Sequence, residues 1–344
     1  MKKLPKGYLL RQKRIEHALL KRKSKQRVRR RASPFIRNSG HERIHAPECL
    51  ALLPEHADRV IRFVHELERK AVAAQKIVID FSKTELVHAL GAVYLYSEID
   101  RARMNRAVIR VQGMSNNLQV FDALRITGIL AVCSHPALPD SAHIPVIRGK
   151  DDNHLPMIIE YLMNTALVQK QLNIKDSDYA ESLVNKAISE AMLNVKQHAY
   201  PQNEANDFWW ATATIFGNSL HIALCDRGVG IPKTLKDKNW FKKAWATLKS
   251  DSSDAAMIKA AMEYTRSSRE GHGGGLGSHD IQQLVLGAHE GHLTIISGKG
   301  YYCLRGKNND QIAQKIGYDV AGTLIHWQIP LHRQSEAHYE RAHN

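Results

Sequence analysis

Three short stretches, in a fixed order, constrain the fold of this 344-residue chain more than any other feature of it. The first is a helical run in which apolar residues fall at Leu183, Val184, Ala187, Ile188, Ala191, Met192 and Val195. That recurrence is the stripe of an amphipathic helix. Glu190, Asn194 and His198 stand four apart at its rim, sharing one face and drifting about 40° per step toward the stripe. The second stretch, Asp226 to Pro232, follows two β-prone runs, 209–216 and 220–225, around the turn dipeptide Gly217 and Asn218. The third is a loop containing Gly271, Gly273, Gly274, Gly275, Leu276 and Gly277, which leads into a helical pattern over 278–285.

Each stretch carries residue types suited to one part of a nucleotide. An asparagine carboxamide oxygen is a hard, neutral ligand for Mg²⁺. A carboxylate one turn earlier can orient or deprotonate a nucleophile. An aspartate at a strand end can accept a hydrogen bond from an amino group, and Gly228 and Gly230 let the backbone approach a base and sugar without a Cβ. Glycines before a helix start present N–H groups to phosphates at the positive helix end. Taken singly, these are a polar helix face, an Asp-Gly turn and a flexible linker. Their order and spacing give them a joint reading.

Together they resemble the GHKL nucleotide-binding family, which includes type II topoisomerases, histidine kinases and anti-sigma serine kinases. The resemblance implies a Bergerat α/β sandwich, with helices on one face of a mixed sheet, and ATP with Mg²⁺ as cofactors. It implies Glu190 as general base and Asn194 as the Mg²⁺ ligand. Asp226, Gly228 and Gly230 would form the adenine box, and Gly273, Gly275, Leu276 and Gly277 the phosphate loop. Thr323, after Gly322, would support the adenine site. His198 falls where anti-sigma kinases often carry a basic residue or histidine, so it is a candidate phosphate contact or a packed core histidine. The helix after the loop opens with Ser278, His279 and Asp280, which is more polar than the family pattern. The stretch 231–270 would be the lid, with helical patterns at 239–245 and 254–264. Further strands are expected at 293–296, 301–304 and 323–329.

Upstream, residues 41–138 alternate helix and strand: helix 58–74 with Asp58 as N-cap, strand 76–81, helix 91–103, strand 107–113 and helix 116–127. This pattern resembles a STAS domain, the anti-sigma-antagonist fold. Phosphorylatable STAS domains carry an Asp-Ser pair before the glycine of the second helix. Here His88 and Ala89 stand before Gly91, so no hydroxyl is available to accept a phosphoryl group, and Ser82 matches a structural serine. A Pro- and Ser-containing linker at 134–145 leads into an edge strand at 144–147 and the second domain, 139–334. Residues 335–344 form a polar tail.

Charge is concentrated at the start of the chain. The net charge is +15, and residues 1–37 hold fifteen Lys/Arg against one acid, Glu16. Residues 1–40 therefore read as a flexible basic tail, an interaction arm by composition. Nucleic acid is its leading partner, through Lys21, Arg22, Lys23, Lys25, Arg27, Arg29, Arg30 and Arg31. A protein partner or an anionic surface meets the same physics. If the arm binds duplex DNA, the log–log salt slope should be roughly −4 to −8. Deleting 1–37 should abolish that binding and leave nucleotide affinity intact. Filter binding across a salt series measures both; equal binding by the truncated chain would place the contact in a folded domain.

Four scattered cysteines make no zinc spacing, and the start of the chain has no apolar signal core, so the cytoplasm is expected. No apolar run is long enough to span a membrane. The nineteen histidines read as dispersed. Three functions fit: an ATP-driven switch with slow hydrolysis acting on a protein or nucleic-acid partner, a serine kinase acting on a partner in trans, and a non-enzymatic ATP-binding scaffold. A homodimer is left open.

Overall fold

The first half of the chain builds on a short parallel sheet. Strands β1 (Glu42–His45), β3 (Lys76–Asp80) and β5 (Val108–Val111) lie in the order β1-β3-β5. Ile77 and Ile79 are fully buried in it, as a run of β-branched residues requires. A second, two-stranded parallel pair joins β2 (Cys49–Leu50) to β4 (Leu86–Val87). The helices are α1 (Pro54–Ala74), α2 (Ala89–Met104), α3 (Leu118–Ile126) and α4 (Ile129–Ser134). Asn117 caps α3 by accepting from the Gln119 N–H at 2.9 Å. The predicted cap of α1 is corrected: the helix begins four residues before Asp58. The Asp58 carboxylate instead accepts from the Gly317 N–H at 2.7 Å, across the fold.

The computed structural model describes residues 41–74, 76–134, 144–150, 177–201, 207–216, 219–236, 253–267, 277–288 and 290–331. Outside these lie the arm residues Lys21, Arg22, Lys23, Lys25, Arg27, Arg29, Arg30 and Arg31, the loop residues Gly273, Gly275 and Leu276, and the predicted helix at 239–245. No described helix is long and apolar enough to cross a membrane.

The second half contributes a five-stranded sheet. Its strands are β6 (Ile144–Gly149), β7 (Trp209–Phe216), β8 (Ser219–Asp226), β9 (His292–Arg305) and β10 (Asp310–Pro330), in the order β6-β7-β8-β10-β9. Every described pairing in it is antiparallel, which corrects the expected mixed sheet. The predicted strands at 293–296 and 301–304 are one strand, β9, with Gly298 at a positive φ of 59° between them. β10 extends through the polar stretch 310–322 because β9 supplies its ladder partners. In that stretch Ile316 and Val320 are buried in the same core cluster as the α1 face.

Five helical segments among the described residues follow the linker: α5 (Ser177–Asn194) with a π-helical turn at Val195–Ala199, α6 (Ile231–Lys236), α7 (Asp254–Ser267) and α8 (Gly277–Gly287). Strand alternation gives the sheet two buried faces. Trp209, Leu220, Ile222, Leu224, Ile295 and Trp327 face the α5 stripe and α8. Trp210, Ala223, Cys225, Ile296 and Leu324 face the other way and join one core with α1, α2 and the parallel sheet.

Helix α2 is therefore enclosed by sheet and helices. Leu90, Val93, Tyr94, Ser97 and Glu98 are all buried, consistent with a sequence that lacks a polar face in its first half. Gly91 is needed there: a Cβ would lie 2.3 Å from the Leu50 carbonyl oxygen. Polar ties cross the same layer boundary. The Trp210 indole N–H donates to Asp100 at 3.0 Å, and Arg148 pairs with Asp100 at 3.1 Å.

Candidate functional site

Strand β8 delivers Asp226 to the edge of the core, where its carboxyl group is buried. The Gly228 N–H donates to it at 2.9 Å, and the neighbouring Thr323 N–H and hydroxyl favour its charged form. Burial raises its pKa to about 6 against the pull of these donors and of Arg227.

The backbone around Asp226 is built for close approach. A Cβ on Gly228 would fall 2.2 Å from the Ala199 carbonyl oxygen, and one on Gly322 would fall 2.2 Å from that of Asp226. Gly230 and Gly322 have φ of 81° and 85°, the left-handed region that glycine alone enters without strain. Ser297, not singled out from the sequence, ties the two glycine turns. Its hydroxyl donates to the Gly322 carbonyl at 2.7 Å and accepts from the Ile231 N–H at 2.9 Å.

The π turn connects this loop to the helix that carries Glu190 and Asn194. The Val229 N–H donates to the Ala199 carbonyl at 2.8 Å, and the Arg227 N–H donates to the Tyr200 hydroxyl at 3.0 Å. Tyr200 in turn donates to the Phe208 carbonyl at 2.6 Å. Neither Tyr200 nor the π turn was apparent from spacing. The turn corrects the predicted alignment of His198: a wider turn after Asn194 breaks the four-residue phase. Val195 and Ala199 are buried and His198 is half-buried, so His198 is not carried onto the stripe.

Glu190 is half-buried on α5. Its pKa is raised, first by burial and then by Asp280 in the first turn of α8. The electrostatic coupling places this carboxyl near the start of the helix that follows the glycine loop. Asn194 ends α5 and is half-buried, and Gly277 opens α8. The structure thus brings Asp226, Gly228, Gly230 and Thr323 into one cluster, with Glu190 and Asn194 on the adjoining helix. Gly273, Gly275 and Leu276 lie outside the described residues.

Arg227 points away from the site and into the layer boundary. Its guanidinium pairs with Glu98 at 2.6 Å, both side chains being 3 % exposed, and lies 4.9 Å from the centre of the Tyr94 ring. Sequence reasoning passed over it as a spacer between Asp226 and Gly228. Compared with protein-family models and with curated proteins, the chain matches none.

Proposed function

We propose that this chain is an ATP-binding regulatory switch of the GHKL type, with slow Mg²⁺-dependent hydrolysis. The observation that supports it is the Asp226 cluster: a buried carboxyl group at a strand end that accepts from the Gly228 N–H and sits among tightly packed glycine turns, with Glu190 and Asn194 on the adjoining helix. Asp226 would accept from the adenine amino group, and Thr323 would fix the carboxylate's orientation. Asn194 would hold Mg²⁺, which when bound neutralises phosphate charge. Glu190, with its raised pKa, would take a proton from the attacking water.

Regulation rests on adjacency. Asp226 reads the base while the next side chain, Arg227, is locked to Glu98 of α2. A shift of this dipeptide on nucleotide binding would be felt directly by the STAS-like layer, which is where a protein partner would sense it. The same Glu190 could deprotonate a serine instead of water, which would make the chain a kinase acting in trans. Phosphate release with and without a serine-bearing STAS protein separates the two.

Asn194→Ala is expected to weaken Mg²⁺-ATP binding by at least about tenfold, equivalent to ~1.4 kcal/mol. Isothermal titration checks it. Unchanged affinity in the variant would remove Asn194 from the site.

A further inference from the structure

Three histidines far apart in sequence meet on the sheet face opposite α5. His221 on β8 and His326 on β10 occupy one face of adjacent antiparallel strands, in diagonal register, since His221 stands opposite Gln328 and His326 opposite Ala223. Their rings stack at 5.3 Å, and His221 Nδ1 lies 3.1 Å from His326 Nε2. His88, immediately before α2, closes the group with its ring 5.5 Å from that of His221 and 4.8 Å from that of His326, edge-on to both. At a helix N-cap a histidine is unusual, and this one makes no side-chain cap bond. His88 Nδ1 is buried without a hydrogen-bond partner among the described residues.

One ring nitrogen from each histidine lies within 4.8 Å of the others, the one such grouping among the described residues. Tetrahedral zinc, with Zn–N bonds of about 2.0–2.1 Å, needs nitrogens roughly 3.3 Å apart. The His221–His326 separation already meets this; the other separations run up to 4.8 Å, and His88 borders a cavity of about 260 Å³. Leu86, Ala89, Thr127 and Ile215 line that cavity, with Asp122 and Gln119 of α3 also on its wall.

We propose that His88, His221 and His326 form a binding site for a zinc-class divalent cation, with the remaining coordination position facing the cavity. Three protein nitrogens with one open position is the arrangement of zinc sites that take an exogenous ligand. A metal ion takes the neutral imidazole, and burial favours that form at all three positions. A bound cation would join α2 to the sheet, tying the two layers, and would present a Lewis-acidic position to a small anion or carboxylate in the cavity. This site is independent of the nucleotide reading, since it lies on the other face of the sheet from α5.

The test uses the full chain, stripped with chelator and titrated with Co²⁺. Four-coordinate visible bands, one equivalent of Zn²⁺ that displaces them, and a melting temperature raised by Zn²⁺ are expected. Because nineteen histidines can bind metal adventitiously, His88→Ala must weaken the site by about 100-fold with an unchanged circular-dichroism spectrum. His88→Cys, which keeps a ligand, should instead add a thiolate-to-cobalt charge-transfer band. Azide should shift the wild-type spectrum if the remaining position is open to the cavity. A folded wild type with neither cobalt bands nor a zinc-dependent melting shift would overturn the proposal, leaving a hydrogen-bonded neutral trio. So would bands that survive unchanged in His88→Ala.

Discussion

Arg227→Ala is expected to lower the unfolding free energy by about 3–5 kcal/mol, the loss typical of breaking a buried ion pair from one side. The variant would leave Glu98 buried beside a cavity, with only Arg101, itself one-third exposed and 3.0 Å away, to offset its charge. Burial already raises the Glu98 pKa despite Arg227 and Arg101, so the carboxylate has little margin for losing its closer partner. The contact of Arg227 with the Tyr94 ring would go too. Two of its guanidinium nitrogens, Nε and Nη1, have no hydrogen-bond partner among the described residues, so the pair is not optimised for stability alone. The double variant Arg227→Met with Glu98→Leu should therefore recover most of the loss. Urea midpoints at constant m-value give the answer. A loss below about 1 kcal/mol, the range of a surface pair, would mean that this contact does not hold the layers together.

Glu190→Ala is expected to retain Mg²⁺-ATP affinity and to lower turnover by roughly 10²-fold or more, as removal of a general base does. The warrant is position and environment together. Glu190 sits one helical turn from Asn194, is half-buried, and is held above the usual carboxylate range by burial and by Asp280. A raised pKa brings a carboxylate nearer to the strength needed to accept a proton at neutral pH. Asp280→Asn should remove part of that elevation, moving the acid limb of the pH–rate profile down while leaving Glu190 in place. Steady-state phosphate release across pH measures both. A wild-type rate in Glu190→Ala would make Glu190 a structural residue of α5.

Local periodicity carried the sequence reading as far as periodicity reaches. The α5 stripe, the β7–β8 hairpin, strand β3 and the edge strand β6 stand where the apolar pattern puts them. What escaped was either irregular or long-range. A π turn leaves no mark in a repeat of 3.6, so His198 was assigned the wrong phase. The polar half of β10 shows no alternation because β9 supplies its ladder partners and only Ile316 and Val320 of it reach the core. His221 hides within Leu220–Cys225, a strand buried on both faces, where a histidine reads as one more interior residue. Its neighbours in space are 133 residues upstream, at His88, and 105 downstream, at His326. Arg227 is the same case: nothing local says that an arginine between Asp226 and Gly228 would be buried against a glutamate 129 residues earlier.

The central claim is that Asp226 reads an adenine base in a nucleotide site, and competition between ATP and GTP at equilibrium tests it most directly. Wild type should bind Mg²⁺-ATP and reject GTP. Asp226→Ala should lose about 1–3 kcal/mol of affinity for ATP, the cost of leaving a buried donor without its acceptor, and with it the preference over GTP. Because Asp226 also anchors Gly228 and Thr323, unfolding by urea is followed in parallel to show that the variant remains folded at the assay temperature. Absence of nucleotide binding by the wild type, or a folded variant that prefers ATP as strongly as the wild type does, would contradict the account.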